Sequence, residues 1–453
     1  MSGMKIRLIF LAVVVFLAGF SGETLLGASG PRVAAFRADV TPEIGEPLIW
    51  TTPTTTVLDP LWAKGIVLEQ NGERYVLCAI DWCGIGGSTD LLFRRKISAA
   101  AGTSVEKVAL QAVHQHAAPY IDGDGYRLLA GLNSPPLMMS DRFLERVTGR
   151  LAAAVRDAAA RLQPFDRVGT GKAAVDRVAS ARRILRDGKI TVRYSTGGTN
   201  PELAALPEGS IDPDVRTVTL AMENRPLVRM HYYATHPQTF CCDGRVSGDF
   251  VNAAREALEK EEGVAQIYFT GCSGDVTVGK YNNATPEARA ALAERLGQGM
   301  RASIGATRFE EAGRMRWRSL ALHLPVGDSP GIDPDALRAR INAGEDRAGQ
   351  ERYRAAIPLA FRERERPLPA SSLQIGRVRL LHLPGEPMLE FQRYAQDQRP
   401  DSFVAVAGYG DVSPGYLCTE RAFTEGGYEP SASNSGPGTE ARVKSAIQAL
   451  LRD

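Results

Sequence analysis

The stretch "VEKVALQAVHQHAAP", Val105 to Pro119, decides how this chain is read. An apolar run ends in two of the six histidines of the sequence, two residues apart and just before a proline. On an extended strand successive side chains alternate faces, so Val108, Leu110, Ala112, His114 and His116 are expected on one face. That face ends in two imidazoles where strand gives way to loop, and strand ends are where α/β folds build their sites. Two imidazoles at this spacing can reach one metal ion, or one can bind while the other moves protons. The alternative is a pair of loop histidines without a ligand.

On either side of this stretch, strand and helix patterns alternate. "RVAAFRAD" reads as a strand before a turn at Thr41-Pro42, and "WAKGIVLEQNGERYVLCAIDW" as a hairpin around Asn71-Gly72, a strong turn pair. "DLLFRRKISAAAG" has helical spacing and stops at Gly102, and "DRFLERVTGRLAAAVRDAAARL" is a long amphipathic helix. "DVRTVTLAM" and "PLVRMHYYATH" are strands about Asn224. "GDFVNAAREALEKEEG" is a helix, "AQIYFTG" a strand, and Thr285 caps the helix that follows. Residues 306–370, rich in arginine and glutamate, read as a hairpin plus a solvated helix. "GRVRLLHLP", "PMLEFQRYAQDQ", "SFVAVAGYG" and "TEARVKSAIQALLRD" continue as strand, helix, strand and final helix. The expected fold is α/β, a mixed β-sheet core flanked by helices in one catalytic domain over 29–453.

Composition excludes some functions. The 54 basic and 52 acidic residues are spread along the chain, with no basic block interleaved with aromatics, so nucleic acid is not an expected partner. Residues 1–28 have a basic start (Lys5, Arg7), an apolar run from Leu8 to Phe20, and then small residues. That layout is a secretory signal, too short to span a membrane comfortably, and implies a secreted or periplasmic protein. The six cysteines show no zinc-ribbon spacing. Accessory disulfides and buried free thiols are both open, and a vicinal pair such as Cys241-Cys242 rarely bridges to itself.

Three further elements carry chemistry. His236 ends an apolar strand before a proline in "HYYATHPQTF", whereas His231 falls on the opposite strand face and reads as packing. Glu386, in "LLHLPGEPMLEF", lies between a strand end and a helix whose first residue should be Pro387, where it can cap the helix or hold a metal. His382 reads as structural. "GCSGD", Gly271 to Asp275, could turn backbone amides toward an anion.

Taken in order, "DVTP", "HQHAAP", "IDPDVRTVTL", "THPQTF", "SGDF", "GCSGDVT", "LPGE" and "GYLCTERAFTEGGYE" resemble the neutral/alkaline non-lysosomal ceramidase family, from about Arg37 to Tyr428. The resemblance implies a zinc-dependent amidase whose Zn2+ is held by His114, His236, Glu386 and Tyr416. It places His116 close to the reacting group and Tyr428 near the scissile carbonyl. The family's arginine falls on Arg182 or Arg183, Arg182 being preferred, with Ala181 where the family has asparagine. Thr277 and Val278 stand where the family has serine and proline, and Thr277 would hydrogen-bond substrate or the attacking water. The first motif reads His-Gln-His-Ala-Ala-Pro rather than His-Thr-His-Ser-Gly-Pro. The sequence ends after the amidase region, without the family's C-terminal β-sandwich.

The implied reaction is attack of zinc-bound hydroxide on the N-acyl bond of ceramide or a related N-acyl lipid, with peripheral contact with membrane lipid allowed. Two alternatives stand beside it: an exported zinc hydrolase of a soluble amide or ester, and a catalytically lapsed binding protein of the same fold. The sequence does not specify an oligomeric state.

Overall fold

The computed structural model describes residue 1 and residues 30–327, 332–343 and 348–452. The leader expected over residues 1–28 falls, apart from its first residue, outside the described residues. No helix among the described residues is long and apolar enough to cross a membrane.

Three sheets form the core. The first runs β4-β3-β2-β1, from β1 (Arg32–Asp39), β2 (Trp62–Gln70), β3 (Glu73–Ile80) and β4 (Val108–Ala112), with Gln163–Pro164 at its far edge. Asn71 and Gly72 join β2 to β3 with φ of 54° and 78°, the left-handed pair that a tight hairpin requires. Helix α1 (Gly87–Ala101) carries the chain from β3 to the parallel β4, and Gly102 stops it at φ 68°. Helix α2 (Asp141–Ala160) is capped by Ser140 Oγ, which accepts from the Phe143 N–H. Val76, Cys78 and Ile80 of β3 pack with Phe93 and Ile97 of α1 and with Phe143 and Val147 of α2.

The second sheet runs β8-β7-β6-β5-β9, from β5 (Arg167–Ala174), β6 (Asp214–Met222), β7 (Arg225–Tyr233), β8 (Ala265–Thr270) and β9 (Arg308–Glu311). Helix α3 (Asp249–Glu262) joins β7 to the parallel β8, and α4 (Pro286–Gly305) begins at the Thr285 cap. His231 is buried on β7 between Thr217 and Gln266, the packing role its strand face suggested.

The third sheet runs β10-β11-β12-β13, from β10 (Met315–Leu322), β11 (Leu368–Ile375), β12 (Val378–His382) and β13 (Phe403–Ala407). Helices α5 (Pro334–Asn342) and α6 (Ala348–Arg362) precede β11. Helix α7 (Leu389–Gln398) follows β12, and α8 (Thr439–Leu451) closes the chain. Ile66, Leu77, Val218, Met230, Ile267, Leu373 and Leu380 fill the space between sheets, and Phe391 and Ile447 cover Val406 on the outside.

The reading of residues 306–370 needs correction. Strands β9 and β10 do not form a hairpin; β9 pairs with β5 and β10 with β11. Helix α6 is not solvated, because Tyr353, Ala355, Ala356 and Leu359 are buried in the first core. The flanking arginines hide this stripe: Arg352 buries its stem and donates to the carbonyls of Ile341 and Ser134.

Each sheet contains one parallel pair, β3 with β4, β7 with β8, and β12 with β13. The carboxyl ends of these pairs meet. The Ala112 N–H donates to Tyr409 O at 2.8 Å, the Gly408 N–H to Thr270 O at 3.0 Å, and Thr270 Oγ1 to Val113 O at 2.6 Å. The buried Gln111 amide donates to the carbonyls of Leu383, Ala407 and Gly408 at 3.0, 3.3 and 2.7 Å, tying β4 to the ends of β12 and β13. Gln111→Leu should therefore destabilise the chain by about 1–3 kcal/mol, since buried acceptors lose their donor. Urea denaturation measures this; a loss below about 0.5 kcal/mol, the scale of an ordinary surface change, would show that the clamp is idle.

Candidate metal centre

The site lies where these strand ends meet. Strand β4 ends at Ala112, so strand alternation does not carry the two histidines to one face as expected. The chain instead turns through a left-handed His114, φ 73°, which swings its ring back beside that of His116. The ring centroids are 4.8 Å apart and nearly perpendicular. The expected convergence therefore holds, but a strained backbone position produces it.

Both central imidazoles are oriented from behind. His114 Nδ1 lies 2.5 Å from Cys83 O, and His236 Nδ1 lies 2.7 Å from Ser273 O. Each Nδ1 therefore carries the proton and donates it to a carbonyl, leaving a lone pair on Nε2. Both lone pairs point at one oxygen: Glu386 Oε2 is 3.3 Å from His114 Nε2 and 3.2 Å from His236 Nε2. Burial holds the His236 imidazole down at about 4, so it is uncharged at neutral pH. Burial pushes the Glu386 carboxyl up, but His114 and His236 outweigh it and hold the group well below the usual carboxylate range. His114 Nε2, His236 Nε2 and a Glu386 oxygen thus face one another, with the ligand atoms all within 4.8 Å. A cation fits that arrangement, and two imidazoles with one carboxylate are donors that suit zinc.

Glu386 is not at a helix start. Helix α7 begins at Leu389 rather than Pro387, because Glu386–Pro387 pairs in parallel with Tyr416–Leu417. This pairing sets Glu386 in register with Tyr416. Gly385, at φ 65°, permits it: a Cβ there would lie 2.8 Å from Gly415 O.

The remaining expected residues gather around this centre, with one exception. His116 is half-buried, its Nε2 3.3 Å from His114 Nε2, and burial followed by the neighbouring His114 and His236 holds it well below the ordinary histidine range. Arg182 is buried; its Nη1 donates to Tyr416 Oη at 2.8 Å, and its guanidinium lies over the rings of Tyr416 and Tyr428. Arg183 turns away to Glu429 and the Gly426 carbonyl, so Arg182 is the arginine that faces the site. The exception is Thr277. It is fully buried, its Oγ1 accepts from the Gly279 N–H at 3.0 Å, and its backbone bridges to His236. Thr277 lies behind His236 and does not line either of the two cavities beside the centre.

The Gly271–Asp275 turn also departs from its reading. The amides of Gly271, Cys272 and Gly274 donate to Tyr233 O, Gln392 Oε1 and Pro387 O, so they are not turned toward an anion. The turn instead orients His236 through Ser273 O.

Sequence reading missed two residues of the site. Tyr409 stacks on His114 at 4.2 Å between centroids, and its hydroxyl lies 2.8 Å from Ser273 Oγ and 3.3 Å from His236 Nδ1. Trp50 stacks on Tyr120 and lies under Arg354. Both are non-glycine residues with φ near 60°, as is His114, and strained backbone of this kind concentrates at functional sites.

The centre opens into a cleft with two lobes that share Trp50, His116, Tyr416 and Tyr428. One lobe, about 410 Å³, is bounded by Arg182, Ser195, Gln238 and Cys241 together with the rings of Tyr194 and Phe240. The other, about 330 Å³, has apolar walls from Ile49, Ile332, Ile357 and Pro358, with Arg340 and Arg354 beside them.

No family model matches the chain, and no curated relative does. Solved structures do. Neutral ceramidase from Pseudomonas aeruginosa superposes with a TM-score of 0.69 at 19% identity, over 93% of this chain and 74% of that one. A ceramidase complexed with C2 gives a TM-score of 0.69 at 18% identity over the same shares. The chain has the ceramidase fold, a mixed α/β architecture of several sheets flanked by helices, as expected from the sequence.

Proposed function

We propose that this chain is an exported zinc-dependent amide hydrolase acting on the N-acyl bond of ceramide or a related N-acyl lipid. The observation that carries the proposal is the pair of backbone-anchored imidazoles whose Nε2 atoms face one Glu386 oxygen. His114, His236 and Glu386 would hold the ion, with Tyr416 beside Glu386 as the fourth donor. Zinc in such a site polarises a carbonyl and brings the pKa of water to about 7.

The chain's own residues supply the rest. His116, uncharged at neutral pH and open to the cleft, accepts the proton of the attacking water and returns it to the leaving amine nitrogen. Arg182 and Tyr428 donate toward the carbonyl oxygen as it gains charge; losing one such donor typically raises the barrier by about 2.7–4 kcal/mol. The two lobes, each mixing apolar walls with polar groups, leave room for the acyl and amine portions on either side of the centre.

A second reading, hydrolysis of a soluble anionic amide, has its own support. Glu386 is the one acidic residue lining either lobe among the described residues, whereas Arg182, Arg340 and Arg354 all line the cleft.

Metal analysis of the purified chain should find about one zinc per chain, lost in His114→Ala, because the ligands act as a set. Turnover of N-acylsphingosine, compared with an N-acyl amino acid and a short neutral amide, separates the substrate readings. A metal-free protein that hydrolyses none of the three overturns both.

A further inference from the structure

Two cysteines that this hydrolysis does not use sit at the rim of the lobe bounded by Gln238. Cys241 lines the lobe half-buried and Cys242 is exposed, whereas Cys78, Cys83, Cys272 and Cys418 are buried. Neighbouring side chains on extended backbone point apart. Here Cys242 takes φ 64°, which turns its side chain to the same side as Cys241, and the sulfurs come within 2.7 Å.

The surroundings prepare one sulfur for attack. Gln238 Oε1 accepts from Ser195 Oγ, and the Gln238 side chain also hydrogen-bonds Cys241, as does Cys242. The hydrogen bond from Cys242, then that from Gln238 and the charge of Arg354, lower the Cys241 thiol to about 7, while the same bond raises Cys242, so Cys241 is the attacking sulfur.

The loop is fixed on both sides of the pair. Asp249 accepts from Thr239 N and Oγ1, Asn282 Nδ2 donates to Thr239 O, and the Thr55 N–H donates to Gly244 O. Only the tip between these anchors carries the two thiols.

We propose that Cys241 and Cys242 form a modification site for small-molecule disulfides, which convert the pair to a vicinal disulfide. The Cys241 thiolate attacks one sulfur of the disulfide, forming a mixed disulfide and releasing one thiolate. The Cys242 sulfur, giving up its proton as it reacts, then attacks the Cys241 sulfur, forming the Cys241–Cys242 bond and releasing the second. Two protein thiols are oxidised, one disulfide is reduced to two thiols, and the two protons pass to the released thiolates. Ring closure takes the Cys241 sulfur from Gln238 and disturbs the Gln238–Ser195 contact, so it reshapes that lobe.

The test exposes the purified, metal-loaded chain to glutathione at rising oxidised-to-reduced ratio and reads intact mass. The expected result is loss of two hydrogen masses without a lasting glutathione adduct, mapped to 241–242 by tandem mass spectrometry and reversed by dithiothreitol. Cys242→Ser should instead trap the adduct on Cys241. This readout does not depend on the proposed reaction; if amides are hydrolysed, kcat/KM should fall ~10- to 100-fold as the bond forms, the scale of a small misplacement in a site. A stable adduct on the unsubstituted chain, or a mass unchanged across the series, overturns the proposal.

Discussion

Glu386→Gln should yield a chain that folds at least as well as the unsubstituted metal-free protein, holds no metal, and hydrolyses amides at least ~10³-fold more slowly, since metal stabilisation of several kcal/mol is lost. The asymmetry follows from the donor count. With each Nδ1 proton donated to a backbone carbonyl and both rings neutral, the Glu386 carboxylate of the metal-free site faces two lone pairs, on His114 Nε2 and His236 Nε2, and none of the three brings a hydrogen. A carboxamide of the same shape brings an N–H that one imidazole can accept, so a buried repulsion becomes a hydrogen bond. Both imidazoles keep their Nδ1 contacts to Cys83 O and Ser273 O, so the rings should not move. Thermal unfolding of both proteins after chelation, metal analysis and amide turnover separate the effects. A metal-free variant that melts well below the metal-free parent would show that the carboxylate is held by something other than a cation. A variant that keeps its metal would remove Glu386 from the ligand set.

Features set by local rules were legible in the sequence. Asn71-Gly72 forms the expected hairpin turn, Gly102 ends α1, and Thr285 caps α4, because each depends on residues a few positions away. His114, His236 and Glu386 were legible because each follows an apolar strand, and strand ends are where such sites form. Their meeting was expected only from the family resemblance and not from any local pattern, because it depends on three sheets being locked together at their ends by Gln111 and Tyr409, which have no sequence pattern of their own. The periodicity argument for His114 and His116 failed for a similar reason. Alternation assumes regular backbone, and the site is built on a residue with φ of 73°. Pro387 signalled a helix start, but the pairing of Glu386 with Tyr416, thirty residues on, overrode it. Thr277 sits in a motif slot that faces the back of His236.

Arg255→Met should destabilise the chain by about 3–5 kcal/mol, and Arg255→Met with Asp81→Leu should recover much of that loss. Arg255 and Asp81 are fully buried and paired through both guanidinium nitrogens, at 3.0 and 2.7 Å. Asp81 also accepts from the Trp62 N–H at 2.9 Å, and Arg255 donates to Asn252 Oδ1. The pair therefore joins α3 to the ends of β2 and β3 across the seam between two sheets. Removing one partner leaves a buried charge without its counter-charge, whereas removing both leaves a packing defect, the Trp62 amide without its acceptor and Asn252 Oδ1 without its donor. The seam also reaches the metal centre: Asp81 is followed by Trp82, whose carbonyl accepts from the His114 N–H at 2.9 Å, and by Cys83, whose carbonyl fixes the His114 ring. The single variant should therefore bind metal more weakly as well as unfold more readily, and the double variant should regain stability before it regains affinity. Urea denaturation of the metal-free proteins gives the first quantity, and competition against a chelator gives the second. A double variant no more stable than the single would mean that the seam depends on the shape of these side chains rather than on their charges.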